Sequence, residues 1–183
     1  MKKLHLTAAM VAILGVGAAT SAFALSTPSN TGELRFVGEV MQGGTCQVAP
    51  GGGVATVTLD RIDASALAAP NSFAATVPFT FVVGGGVADA CNGKITRLSF
   101  EGGRINADGY LDNAEGTAAN IGVRLLNGTT HAPINLLTGE NNPQTVPVSG
   151  APGILQYQAQ YYSKTGQVTG GTVATYVIYT VSY

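Results

Sequence analysis

The sequence is poor in charge and in the side chains that many binding and catalytic sites use. Only 10% of its 183 residues are charged, and the formal net charge is −1. Such a chain offers no basic patch for nucleic acid or for an anionic membrane surface. Tryptophan is absent and histidine occurs only twice. No sugar-stacking aromatic platform and no histidine-rich metal site are therefore evident.

Long apolar runs are also scarce. The run at residues 8–19 is too short to span a membrane as a helix. It follows Lys2 and Lys3 and precedes Ala22-Phe23-Ala24, a pattern typical of a signal peptidase site. We expect cleavage after Ala24, which would make residues 1–24 a signal peptide and send the remainder for export. An uncleaved N-terminal anchor is the alternative.

Cysteine occurs only at Cys46 and Cys91. Both lie in the part of the chain expected to be exported, and an even pair in an oxidising compartment is typical of a disulfide. Two thiols and one histidine make a poor zinc site. We therefore predict a disulfide that closes a loop of roughly 45 residues, to which chain-entropy arithmetic assigns about 4 kcal/mol of stabilisation.

No group of residues has the character of a catalytic centre. His131 lies in a turn region, where a solvated role is expected. The acidic residues Asp60, Asp63, Asp108 and Asp112 lie in predicted loops, and sequence spacing alone cannot define a glycosidase pair. A loop-bound calcium site would need more oxygen ligands than any one loop offers. We expect no catalytic residue, no metal site, no cofactor and no enzymatic activity.

The sequence is instead rich in glycine, with 25 residues, and in short apolar runs separated by turn residues. This pattern predicts one all-β domain built as a sandwich. We predict strands at residues 32–41, 54–59, 73–83, 95–100, 109–111, 121–126, 132–136, 155–162 and 172–183, with one helical turn at residues 64–68. Pro78 removes a backbone donor, so an edge position or a bulge is expected there.

The two ends of the expected mature chain carry strands of matching character. Near the N-terminal end, four residues share one face of a strand by their period of two: Leu34, Phe36, Gly38 and Val40. At the C-terminal end the residues on one face are Thr175, Val177, Tyr179, Val181 and Tyr183. Most domains end in a few loosely held polar residues. We therefore expect this apolar end strand to need a further strand beside it, as in a subunit of an assembly.

Several segments in consecutive order resemble the chaperone–usher pilins, specifically the major-subunit family of type 1-like fimbriae. The segments are residues 32–40 before Cys46, Cys91 before residues 95–102, residues 119–126, residues 155–161, and residues 171–183 with an aromatic at 179 and Tyr183. Two features depart from the family pattern. Tyr183 is the last residue, where members commonly carry one more, and the spacing from Phe36 to Cys46 is about one residue longer than usual.

The resemblance implies an incomplete immunoglobulin-like sandwich completed by a donor strand from a neighbouring subunit. A periplasmic chaperone would first lend a strand, which the next subunit would replace at the outer-membrane usher. Residues 25–42 would be the donor extension and residues 43–183 the pilin domain. The inserting donor residues would be Leu34, Phe36, Gly38 and Val40. The acceptor groove and chaperone-binding residues would be Val177, Tyr179, Val181 and Tyr183.

We therefore expect a structural subunit of a bacterial surface fimbria. It would pass through the periplasm, polymerise head to tail with identical or related pilins and support cell adhesion. The alternative within the family is a minor or tip/adapter subunit with a direct adhesive role. A secreted β-sandwich enzyme or carbohydrate-binding module is a third hypothesis, for which the sequence shows no site.

Overall fold

The computed structural model describes residues 32–38, 46–50, 56–85 and 89–183. The predicted signal peptide at residues 1–24 and the predicted donor residue Val40 lie outside these ranges. In chain order the strands are β1 (Gly32–Gly38), β2 (Val48–Pro50), β3 (Thr56–Leu59), β4 (Ser72–Val83), β5 (Lys94–Glu101), β6 (Leu111–Asp112), β7 (Gly122–Asn127), β8 (Thr145–Val148), β9 (Gly153–Ser163) and β10 (Val173–Ser182). Within the described ranges no helix is long and apolar enough to cross a membrane.

The strands form two five-stranded sheets, which gives the all-β sandwich expected from the sequence. The first sheet has the order β3-β1-β10-β5-β8, and the second has the order β2-β4-β9-β7-β6. The ladder between β1 and β10 is parallel. Every other strand pairing among the described residues is antiparallel.

The core lies between the sheets and is rich in aromatic rings. Phe81 and Tyr157 are almost completely buried, and their ring centroids lie 6.0 Å apart with the rings nearly perpendicular. Phe100 of β5 makes a similar edge contact with Tyr157, at 5.2 Å. Burial of each such ring removes a large apolar area from water, and edge-to-face contacts add to the stabilisation. The contact of Phe81 with Tyr157 joins neighbouring strands of the second sheet, and the contact of Phe100 with Tyr157 holds the two sheets together.

The predicted disulfide between Cys46 and Cys91 is confirmed. Both residues are buried, and their Cα atoms lie 5.0 Å apart. The bond joins the chain just before β2 to the turn that leads into β5. Gly84 packs against it at a φ of +73°, and a Cβ there would lie 2.6 Å from a methyl of Val148. Glycine is therefore required both by the backbone conformation and by the space.

Two local predictions, one for the segment after β3 and one for β4, are also confirmed. A 3₁₀ helix spans Ala64–Leu67, and Asp63 caps it by accepting a hydrogen bond of 2.8 Å from the backbone N–H of Ser65. Pro78 lies where β4 pairs with β9 but β2 does not reach, and a bulge separates Ala74 from Val77. The missing backbone donor therefore falls at a locally open edge beside a bulge, where proline is tolerated.

The strand predicted at residues 132–136 is wrong. The structure has only an isolated bridge there, between Leu126 and Pro133. Pro133 cannot donate to a ladder, and the Asn135 side chain accepts from the backbone N–H groups of Leu137 and Thr138 to form a turn. The sequence prediction also missed β8, whose Pro147 faces Ile95 at the outer edge of the first sheet.

Candidate functional site

The position of β1 identifies the candidate site. β1 lies between β3 and β10 and pairs with both of them. Its ladder with β10 runs from Gly32 opposite Val173 to Gly38 opposite Tyr179. On its other side β1 pairs with β3, and this pairing ends with Arg35 opposite Thr56. Without β1, the facing edges of β3 and β10 would have a strand-wide gap between them. We call this gap the β3/β10 groove.

β10 forms one side of the β3/β10 groove, and its burial alternates as the sequence predicted. Val177 is 0% exposed and Tyr179 is also buried, whereas Ile178 between them is 38% exposed. The alternation fades toward the end of the chain, because Val181 is half-buried and Tyr183 is 52% exposed. β10 ends at Ser182, one residue before the end of the predicted strand.

The buried side of β10 rests on the opposite sheet. The ring of Tyr179 lies 4.7 Å from that of Phe81, centroid to centroid. Burial of the hydroxyl raises the pKa of Tyr179, because the ionised form would lose its hydration. Gly103 approaches the backbone of β10 so closely that a Cβ would lie 2.8 Å from the Cα of Val177. Gly103 lies in the turn after β5, and nothing in the sequence indicates its contact with β10.

An apolar depression lies next to the start of β10. Its lining includes Ile62, Ile121, Tyr161, Val168 and Val173. Since Gly32 pairs with Val173, the depression lies at the end of the groove where β1 begins. Burial raises the pKa of Tyr161 to about 12, and the negative charge of Asp60 adds to the effect. The groove therefore has an apolar pocket at one end.

Among the polar residues considered as catalytic candidates, Asp108 and Asp112 line one cleft, and Asp60 directly follows β3 and acts on Tyr161. His131 is exposed at a turn, and its Nδ1 lies 3.1 Å from the side-chain oxygen of Gln158. Asp63 caps the 3₁₀ helix, and the hydrogen bonds from Ser65 hold its pKa below the usual value. Asp108 forms an ion pair of 2.7 Å with Lys164. No group of three or more possible metal ligands occurs within the ranges that the structure describes.

The chain is similar in sequence to known proteins over most of its length. The sequence model of the Fimbrial protein family matches residues 34–183. The F17 fimbrial protein of Escherichia coli is 32% identical over 177 residues, which cover 93% of this chain and 96% of that protein. The minor fimbrial subunit HifD of Haemophilus influenzae is 30% identical, with 83% of this chain and 74% of that protein covered. The type-1 fimbrial protein A chain of Escherichia coli K12 is 26% identical, with 90% of each chain covered.

The fold is also shared with a solved structure. The Burkholderia pseudomallei antigen and type I fimbria protein has a TM-score of 0.50 and 20% sequence identity, and the match covers 84% of this chain and 94% of that one. At this identity the likeness concerns the fold, which agrees with the incomplete immunoglobulin-like sandwich. The family match and the sequence relatives carry the functional conclusion. The chain belongs to the fimbrial protein family, and it is an exported structural subunit of a bacterial surface fimbria that associates with other pilin subunits.

Proposed function

We propose that the subunit polymerises by donor-strand exchange, in which β1 of one subunit enters the β3/β10 groove of the next. The observation that carries this proposal is the position of β1 between β3 and β10. The same backbone ladder can form within one chain or between two chains, as in domain swapping. Because each subunit offers one donor and one groove, the contact is heterologous and propagates as an open filament rather than a closed ring.

The proposed donor residues suit the groove by their register. Leu34, Phe36 and Gly38 are opposite Thr175, Val177 and Tyr179 in the single chain. We propose Val40 as the fourth donor residue. Burial of a leucine, phenylalanine or valine side chain contributes about 1.5–3 kcal/mol, and each ladder hydrogen bond contributes about 1 kcal/mol net. Glycine opposite the large Tyr179 side chain avoids overpacking at that position.

The acceptor side of the same proposal comprises Val177, Tyr179, Val181 and Tyr183. Before assembly, a periplasmic chaperone would cover this edge with its own strand, since an open apolar edge promotes aggregation. An outer-membrane usher would then exchange the chaperone for the next subunit. Deletion of residues 177–183 should abolish chaperone co-purification and lower the amount of subunit in the periplasm. Recovery of the truncated subunit in normal amounts would contradict this assignment.

We further propose that residues 1–24 are removed after Ala24, that residues 25–42 are the donor extension, and that residues 43–183 are the pilin domain. N-terminal sequencing of the exported subunit tests the first boundary, with Leu25 expected as the first residue. A start at Met1 would contradict cleavage.

The proposed role is structural and needs neither catalysis nor a cofactor. Membership of a structural protein family supports this. So do the local roles of three acidic residues, since Asp63 caps the 3₁₀ helix, Asp108 pairs with Lys164 and Asp112 accepts a hydrogen bond from Asn106.

Electron microscopy of cells that express the fimbria, with and without this subunit, tests the structural role. Loss of whole fibres on deletion is the expected result for a major subunit that also supports adhesion. Fibres of normal length and number that no longer attach to host cells would favour the second candidate, a minor or tip/adapter subunit. The similarity to the minor subunit HifD supports that candidate.

A further inference from the structure

A row of residues crosses the outer face of the second sheet. Phe73 of β4 is paired with Tyr162 of β9, which is also opposite Gly122 of β7, and Gly122 is paired with Asp112 of β6. Directly opposed residues share one face of a sheet, and Phe73 is 57% exposed on this face. Gly122 has no side chain, and a Cβ there would lie 2.5 Å from the backbone carbonyl oxygen of Leu111. No side chain of this row therefore stands between the ring of Tyr162 and the carboxylate of Asp112.

The aromatic side of this row is held in place by its neighbours. The Tyr110 ring packs edge-on against Tyr162, with centroids 4.9 Å apart. The Arg124 guanidinium lies 4.3 Å from the ring centroid of Phe73 and 5.3 Å from that of Tyr162. The Tyr162 hydroxyl donates a hydrogen bond of 2.9 Å to the side chain of Asn71. Tyr162 is therefore a preorganised surface, which lowers the entropy cost of binding.

Polar side chains and the two tyrosines line an open cleft of about 540 Å³. This volume lies within the usual range for small-molecule sites. Asp112 accepts a hydrogen bond of 2.9 Å from Asn106 at one oxygen, and its second oxygen accepts none from the described part of the chain. Asn120 uses its amide nitrogen to reach the carbonyl of Gln167 at 3.0 Å, which leaves its side-chain oxygen available as an acceptor.

Charges around the cleft balance. Asp108 and Asp112 are offset by Lys164 and by Arg124 beside Tyr162. The Lys164 Nζ lies 2.7 and 2.8 Å from the two oxygens of Asp108. A balanced cleft gives no net attraction to a strongly ionic ligand, but it offers charged and neutral hydrogen-bonding groups next to an aromatic surface. That combination matches a neutral ring with many hydroxyl groups.

We propose that this cleft binds a neutral sugar ring. The C–H face of the ring would contact Tyr162 and Tyr110, while hydroxyl groups donate to Asp112 and Asn120. The cleft lies on the outer face of the second sheet, whereas the β3/β10 groove is a strand position within the first sheet. The inference therefore does not depend on donor-strand exchange. The proposal revises the expectation from the sequence that no aromatic platform for sugar stacking is evident. Tyr110 and Tyr162 form an aromatic pair only in the folded chain.

The test uses the purified full-length exported subunit and the methyl glycosides of glucose, galactose, mannose and N-acetylglucosamine. Binding is followed by the backbone amide resonances of residues 110–122 and 162–165 in two-dimensional NMR. At least one glycoside should shift these resonances at saturating concentration. Tyr162→Ala should abolish the shifts, and Asp112→Asn, which preserves the shape of the side chain, should weaken binding about tenfold or more.

Tyr176→Ala is the matched control, because Tyr176 lies on the other sheet, with its ring 5.5 Å from the guanidinium of Arg104. It should bind like the unmodified subunit. Absence of shifts with all four glycosides would overturn the proposal, and so would equal affinity in Asp112→Asn. Fibre formation by Asp112→Asn should remain normal, which separates this test from the test of the assembly mechanism.

Discussion

Phe36 of β1 lies opposite Val177 of β10 in a ladder whose two strands run in the same direction. Val177 is completely buried, while the next residue, Ile178, is 38% exposed. The sequence pattern places Phe36 on the apolar face of its strand and Val37 on the other face. This pairing is therefore the position at which a donor strand is expected to be most sensitive to substitution.

Phe36→Asp should block fibre formation, because a carboxylate would have to enter the buried side of the ladder without a partner. The domain should still fold and be captured by the chaperone, since the substituted residue lies in the proposed donor extension. Electron microscopy of the cell surface, together with chaperone co-purification, checks both outcomes.

Val37→Asp is the matched control for Phe36→Asp. It introduces the same charge one residue away, where the register is opposite the partly exposed Ile178. Fibres should form with Val37→Asp. Long fibres with Phe36→Asp, or equal loss of fibres in both variants, would contradict the assignment of the donor face.

Val177→Ala should destabilise the purified subunit by about 2 kcal/mol, because it removes completely buried methyl groups and leaves a cavity in the core. Ile178→Ala should cost less than about 1 kcal/mol, since that side chain is partly exposed. Urea unfolding monitored by circular dichroism measures both changes. A larger loss for Ile178→Ala would show that the face of β10 is assigned wrongly.

Removal of the disulfide by the paired substitution Cys46→Ala and Cys91→Ala should lower the free energy of unfolding substantially. The sequence separation is 45 residues, for which chain-entropy arithmetic gives about 4 kcal/mol. The periplasmic yield of subunit should fall accordingly. Unchanged yield and unchanged urea midpoint would show that the disulfide is dispensable for folding.

Stability should fall at alkaline pH. Burial raises the pKa of Tyr161 to about 12, with Asp60 adding to the effect, and burial also raises the pKa of Tyr157. Tyrosine in the unfolded chain ionises at about pH 10. Between about pH 10 and 12 the unfolded state loses protons that the folded state keeps, so the free energy of unfolding decreases as pH rises.

The urea midpoint should therefore be nearly constant just below about pH 10 and decline above it. Tyr161→Phe should make this decline shallower, because one raised pKa is removed. An unchanged slope in Tyr161→Phe would show that Tyr161 does not contribute to alkaline unfolding.

The strands that alternate between core and solvent could be predicted well from the sequence. In β10 the alternation from Thr175 to Tyr179 matches the observed burial, because a half-buried strand imposes a period of two. β8 was missed because Pro147 interrupts a four-residue segment that is flanked by polar residues, although proline is tolerated in an edge strand. The strand predicted at residues 132–136 was wrong for the opposite reason. That segment alternates like a strand, but Pro133 interrupts it and cannot donate to a ladder.

The sequence could not predict the direction of β1. A period of two is the same whether a strand is followed forward or backward, so the apolar face at Leu34 and Phe36 is compatible with parallel or antiparallel pairing to β10. The cleft was missed for a different reason. Tyr110 and Tyr162 are distant in sequence and meet only because β7 lies between β6 and β9.

Donor-strand exchange requires that the β3/β10 groove of each subunit in the fimbria is filled by β1 of a neighbour. Electron cryomicroscopy of purified fibres at a resolution that traces the backbone from residue 38 to Cys46 tests it directly. We expect the strand beside Val177 and Tyr179 to lead to Cys46 of the adjacent subunit. A strand in that position that leads to Cys46 of the same subunit would contradict donor-strand exchange.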